Sequence, residues 1–272
     1  MKKILLSTDF SEGSVAANHQ AIKLAAMCGS DILYFHAYTP PFQDPNTPVT
    51  VMEDIYEAAS EHIKASLKEL VVSAKSQGIR STYNLGFGDL STGISELIEE
   101  ENVDLVVVGK TEDPGLLERI LGSTATHLIH KFSKPLLIIP AHHEGPVFDH
   151  LMYASKLEYD ETEILRQVFG IKKLTSSKLT IAKVDVSHEP DIHRDQDFID
   201  DIFEQFAEEE FSFVHEKHTS FVEGIQLLAE QSGATLIVVA TNHRNLIEGI
   251  VDPSLSKKLV SGSHLPVLVY NF

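Results

Sequence analysis

Short apolar runs alternate along this chain with longer stretches whose apolar positions recur at helical spacing. Lys3–Ser7, Asp31–Ala37, Ile79–Leu85, Asp104–Val108 and Pro135–Ile139 are too brief for helices and are bounded by turn residues, so they predict strands. Between the first two, Ser11 is placed to cap a helix, and Val15, His19, Ile22, Leu24, Ala25 and Ala26 supply its apolar face up to a stop at Gly29. Thr39–Thr50, with four prolines, predicts a loop. Further helices are expected over Glu53–Gln77, Ser91–Glu101 and from Ser123 to about Lys131.

The pattern then starts again. Val106–Gly109 matches Ile237–Ala240, Ser123 matches Ser254 and Pro135 matches Pro266, each 131 residues further on; Gly93-Ile94 and Leu97 match Gly224-Ile225 and Leu228 at the same distance. The second copy predicts strands at His150–Ser155, Lys178–Val186, Phe211–Lys217, Thr235–Ala240 and Pro266–Tyr270. Its helices are expected at Glu161–Lys173, Asp195–Glu209 and Ser220–Gln231, with Phe198, Ile202, Phe203 and Phe206 in the core. Two copies of this length read as tandem domains, 1–141 and 149–272, each able to bury a core of its own. The alternation of strand and helix predicts an α/β fold: two doubly wound domains, each a five-stranded, mostly parallel sheet in the order 3-2-1-4-5 with helices on both faces.

Charge narrows the function classes. Across 272 residues, 22 basic side chains face 40 acidic ones, and both halves share the excess. No basic arm or stripe stands out, which disfavours nucleic acid and anionic membranes as partners. Cys28 stands alone and no stretch is apolar enough to span a bilayer, so a cytoplasmic location is expected.

The chemistry concentrates where this architecture makes a crevice. If the strand order reverses between the first and fourth strands, ligands bind at their carboxyl ends, which carry Thr8-Asp9 and Gly109. Glycines at 109 and 122 would let a phosphate approach main-chain N–H groups, and Ser123-Thr124 would open a helix whose N-terminus favours an anion. Asp9 faces them as an acceptor for a ribose hydroxyl or an adenine amino group. Taken singly, Gly-Ser-Thr is also an ordinary helix cap and Asp9 an ordinary helix start. The histidines at 142–143, 188 and 193, and 215 and 218 lack a recognised metal-ligand spacing, so no metal site is predicted. His36, in an apolar strand, reads as a hydrogen-bonded core residue. No nucleophile–base set emerges, and no catalytic residue is assigned.

The opening ILLSTDFSE, the strand ILYFHAY and the stretch VVVG…LLERILGSTATHLI…KPLLIIP resemble the universal stress protein family in tandem form. Gly109, Gly122 and Ser123 fall on that family's ATP signature, G-x2-G-x9-G-[ST]. The resemblance implies that Thr8 and Asp9 hold an adenosine, that Ala37 lies against the base, and that Thr124 follows the phosphate-binding turn. It implies ATP or another adenine nucleotide as ligand, with Mg accompanying ATP. It also implies that the two copies pack as an intrachain pseudo-dimer through LLIIP and PVLVY, with a homodimer or a protein partner beyond that.

One position departs from the signature: its second glycine is Glu112, whose carboxylate would repel a triphosphate. Weak ATP binding, or a preference for fewer phosphates, is therefore expected. In the second copy Lys156 stands near Asp9's place, Ala240 replaces Gly109, and Pro253-Ser254 replaces Gly122-Ser123. That copy reads as degenerate, or as repurposed with Lys156, His243 and Arg244 facing an anion. The function expected is a nucleotide-responsive stress protein acting through conformation or oligomeric state; the alternatives are a scaffold that binds no nucleotide and a weak ATPase using Glu112 and Asp113.

Overall fold

The computed structural model describes residues 1–39, 49–110, 132–155, 157, 161–186, 195–241, 259 and 262–271, with the main chain alone at 49–56, 195 and 241. The first half contributes strands β1 (Lys3–Ser7), β2 (Asp31–Tyr38), β3 (Ser81–Phe87), β4 (Leu105–Lys110) and β5 (Leu136–Pro140). The second contributes β6 (His150–Ser155), β7 (Lys178–Val186), β8 (Ser212–His218), β9 (Leu236–Thr241) and β10 (Val267–Asn271). Six helices are described: α1 (Glu12–Cys28), α2 (Val49–Ser76), α3 (Leu90–Glu100), α4 (Thr162–Thr175), α5 (Asp195–Gln205) and α6 (Phe221–Ser232). The helix expected from Ser123 to Lys131 lies outside the described residues.

The strands form one sheet in the order β3-β2-β1-β4-β5-β10-β9-β6-β7-β8. Each half has the expected 3-2-1-4-5 order and is parallel throughout. The halves join where β5 and β10 run antiparallel, with Leu137 opposite Leu268 and Ile138 opposite Val267. The two last strands thereby close each other's edge, which would otherwise expose a row of unpaired backbone groups.

Period-two alternation explains the layers. Ile4, Leu6, Leu105 and Val107 face one side with α1, α2, α4 and α5, whereas Leu5, Val106 and Val108 face the other with α3 and α6. Because Leu137 and Leu268 share one layer while Ile138 and Val267 share the other, both hydrophobic layers run through the seam. The cores of the two copies are continuous. α1 also touches α4 across the seam, and Gln20 Nε2 donates to the Gly145 carbonyl at 3.1 Å.

Three local expectations are corrected. α1 does not bury Val15, His19 or Ala26; Val15 is 64% exposed. Its inner face is Gly13, Ser14, Ala17, Gln20, Ala21, Ile22, Leu24 and Ala25, mostly small residues, because the helix lies close against β4 and β5. Phe203 is 48% exposed while Ile202 and Phe206 are buried. It packs edgewise on Phe213 and beside Phe211, at 5.8 and 5.2 Å between ring centres, instead of entering the core. α2 begins at Val49, earlier than expected, and α5 ends at Gln205, short of Glu209.

Candidate functional site

The reversal of strand order in the first half falls between β1 and β4, so the crevice opens at the carboxyl ends of Ser7 and Lys110. Leaving β1, the chain makes a tight turn in which Phe10 adopts a left-handed backbone, φ 63°, an uncommon state for a bulky side chain. Local bonds hold it there. Thr8 Oγ1 accepts from the Phe10 amide at 3.1 Å, and the Phe10 ring stacks on His36 at 5.1 Å between centres. Thr8 itself is buried, so its hydroxyl is part of the turn.

Asp9 is organised by the helix that follows. Its Oδ1 accepts from the Ser11 amide at 3.0 Å, from the Ser11 hydroxyl at 2.5 Å and from the Ser14 hydroxyl. Ser14 Oγ in turn accepts from the Asp9 amide at 3.0 Å, and Ser11 caps α1. Burial raises the Asp9 carboxyl's pKa, but the hydrogen bonds from Ser11 and Ser14 outweigh it and hold the group below its ordinary value. It is a carboxylate with one oxygen engaged; among the described residues Oδ2 makes no hydrogen bond.

Gly109 joins this cluster from β4. A Cβ built there would lie 2.1 Å from the Gly13 carbonyl oxygen and 2.6 Å from the Ser14 amide nitrogen. The glycine is thus required by the contact between the first turn of α1 and β4. Helix packing is a reason for it beyond the phosphate approach expected from sequence.

His36 is not a core residue. It is half-buried at the crevice rim, with Nδ1 at 2.8 Å from the Thr8 carbonyl oxygen. A carbonyl only accepts, so Nδ1 carries a proton. Sequence reading missed this role, although a histidine near the carboxyl end of an apolar strand beside β1 was a usable signal. Ala37 follows it in β2, opposite Gly86 of β3, half-buried against the layer that contains Phe35. Thr8, Asp9, Gly109 and His36 therefore meet around the start of α1. Gly122, Ser123, Thr124 and Glu112 lie outside the described residues.

The second half repeats the frame with other side chains. Ile4 faces Leu105 and Leu151 faces Leu236, so Thr8 corresponds to Ser155 and Phe10 to Leu157; likewise β2 and β7 make His36 correspond to Lys183. The turn is conserved physically: Leu157 is also left-handed, φ 55°, and the Ser155 hydroxyl accepts from its amide at 2.8 Å. The acid has moved. Glu161, just before α4, accepts from the Ser155 hydroxyl at 2.5 Å and is buried. α4 starts at Thr162, the counterpart of Val15, whereas α1 starts at Glu12 and presses its first turn on Gly109. Ala240 fits where a methyl on residue 109 would collide.

Lys183, in the place of His36, is 1% exposed. It is ion-paired with Asp185 and lies 3.5 Å from His215 Nε2, which sits 2.6 Å from the other Asp185 oxygen. Burial pushes the Asp185 carboxyl up, but its bonds to Lys183 and His215 prevail and hold it low. Lys156, His243 and Arg244 lie outside the described residues.

A sequence profile of the universal stress protein family matches residues 1–140 and 159–271. The chain is 26% identical over 148 residues to universal stress protein Sll1388 of Synechocystis, an alignment covering 50% of this chain and 96% of that one. It is 28% identical over 139 residues to universal stress protein MJ0531 of Methanocaldococcus jannaschii, covering 51% and 81%. A universal stress protein from Archaeoglobus fulgidus superposes with a TM-score of 0.74 over 99% of this chain and 98% of its own, at 18% identity, a likeness of fold. No described helix is long and apolar enough to cross a membrane.

Proposed function

The chain belongs to the universal stress protein family, and on that premise we propose that its first half binds an adenine nucleotide and signals through conformation or oligomeric state to a protein partner or a second copy. The observation that carries this reading is the placement of Asp9. Its ionised carboxylate stands at the strand-order reversal beside Gly109, with Oδ2 outside the local hydrogen bonds. Such a group, pre-oriented by Ser11 and Ser14, accepts two adjacent ribose hydroxyls without reorganisation. The exposed Phe10 ring and the half-buried His36 ring offer an apolar and a polar edge for the sugar and base, with Ala37 next along the strand. Gly122, Ser123 and Thr124 would receive the phosphates at the start of the following helix. Glu112 opposes a triphosphate, so AMP and ADP are expected to bind at least as well as ATP.

Mg2+ would arrive with the phosphates of ATP; among the described residues no group of three or more His, Cys, Asp or Glu is arranged to hold a metal. The reading is one of binding, with ATP hydrolysis weak at most and a cytoplasmic setting.

The test is a titration of ATP, ADP and AMP against nucleotide-free protein, with Asp9→Ala and Gly122→Val beside it. Micromolar binding lost in both variants supports a nucleotide sensor. No binding at millimolar nucleotide overturns it in favour of the reading Glu112 motivates, a scaffold acting through its surfaces. Adding Glu112→Gly separates the two ideas: it should strengthen ATP about tenfold and leave AMP alone.

A further inference from the structure

β8 closes one end of the sheet, and α5 buries Ile202 and Phe206 in the layer that covers it. Five rings lead from that layer to the surface. Phe169 stacks on Phe206 at 4.6 Å between ring centres and meets Phe211 edgewise at 5.7 Å. Phe211 and Phe213, both half-buried, in turn hold the exposed Phe203. A lone exposed phenylalanine is ordinary on a protein surface. This one belongs to a patch whose supporting rings fix it beforehand, so little side-chain entropy would be lost on contact.

Acid surrounds the patch. Residues 195–210 hold eight acidic side chains and no lysine or arginine. Asp197, Asp200, Asp201 and Glu204 are all exposed and recur at three- and four-residue spacing, so they form one stripe along α5. Asp200 stands three residues before Phe203, on the neighbouring turn, and accepts only a neutral donor, Gln196 Nε2, at 2.8 Å. Among the described residues none of these four carboxylates has an ion-pair partner; the pair that this segment does make joins Glu209 to Lys173.

Such a stripe works against the helix that carries it. Like charges three or four residues apart repel, and Asp201 and Glu204 lie toward the negative end of the helix dipole, where cations are favoured. The last turn of α5 contains no basic residue. In α2, the second helix of the first half, Lys64, Lys68 and Lys75 are interspersed with the acids.

From this arrangement we infer that the α5–β8 edge is a docking surface for a basic protein segment, with an apolar anchor seated on Phe203 and cations along the acidic stripe. Charge selects that occupant. A second copy docked by the same face would set one acidic stripe against another, which costs affinity. Asp9 lies in the other half of the sheet, so this inference goes beyond the nucleotide reading and does not rest on it.

The probe is a fluorescent lysine-rich peptide of about fifteen residues with leucines at helical spacing, titrated against the full chain. A peptide with the same lysines and serine for each leucine is the control. The leucine peptide should bind saturably, weakened about tenfold by Phe203→Ser and by Asp201→Asn with Glu204→Gln. Glu69→Gln, an exposed change on α2, should leave its binding alone. The carboxylate double variant relieves repulsion within α5, so it keeps the test valid if Phe203→Ser fails to fold. Equal binding of the two peptides, or equal weakening by Glu69→Gln, would reduce the contact to general attraction toward an acidic chain and overturn the surface. Failure to saturate at millimolar peptide overturns it as well. Sedimentation of the chain alone supplies the last outcome: self-association abolished by Phe203→Ser would give the face to a second copy and overturn the basic occupant.

Discussion

The two halves share the same strand order, the same strand-end turn and a left-handed residue at its close, yet they carry different side chains there. In the first half, a hydroxyl at Thr8 holds the turn, Asp9 projects from it, and His36 stands half-buried on the neighbouring strand. In the second, Ser155 holds the same turn, but the acid is buried Glu161 at the helix start and Lys183 takes the place of His36. There a lysine, its paired aspartate and a histidine bond to one another, whereas among the described residues the first half leaves Oδ2 of Asp9 without a hydrogen bond. A frame can thus be inherited intact while its chemistry turns inward. The frame depends on backbone hydrogen bonds and small residues, whereas the chemistry depends on a few side chains at strand ends.

The sharpest way to break this comparison is at Asp185. Removing its carboxylate in Asp185→Ala takes a charged partner away from the buried Lys183 ammonium, a change that costs about 3 kcal/mol. Urea denaturation should show a clear drop in midpoint with an unchanged slope, and Lys183→Met with Asp185→Leu should restore most of it. A loss under about 0.5 kcal/mol would mean that the pair does not hold the second crevice closed.

A smaller asymmetry is expected at the glycine. Gly109→Ala places a methyl against the Gly13 backbone, and such overpacking costs about 2 kcal/mol. The reverse change, Ala240→Gly, meets no such contact and should cost about 1 kcal/mol or less. Equal melting-temperature shifts would show that the first turn of α1 gives way easily.

The mildest effect is on acid sensitivity. The Asp9 and Asp185 carboxyls both have folded values below their ordinary ones. The unfolded chain therefore binds more protons over that interval, so stability rises with pH across it. The contribution is fully present above about pH 5 and fades as pH falls from the ordinary carboxylate value of about 4 through the folded value. Asp185→Asn should flatten the acid limb of the stability curve more than Asp9→Asn, since its partners include a buried lysine while Asp9 is exposed and held by serines. An unchanged acid limb in both would remove the electrostatic part of the account.

Much of this molecule was legible from residue pattern. Strands such as Leu105–Lys110 and Leu136–Pro140 are apolar on both faces, and that alone calls for a sheet sandwiched by helices. The pairing of Asp9 with Gly109 followed from topology, because any sheet with this strand order brings the ends of β1 and β4 together. Less legible were features set by close approach. The exposed Val15 and the buried Gln20 follow from how near α1 lies to β4, and hydropathy alone would assign them the other way round. Phe203 fits a helical core stripe by spacing, yet the width of the contact between α5 and the sheet leaves it outside.

The sequence by itself determined the alternation of elements, the internal repeat, the strand order and the strand ends where chemistry collects, because each rests on local periodicity and on rules of connection that hold for any chain. Only the tertiary structure decided that Gly109 answers to a helix, that Lys183 answers to His36, and that both hydrophobic layers cross the β5–β10 seam. Those outcomes depend on which atoms come within a few ångströms, and separation along a sequence carries no measure of that.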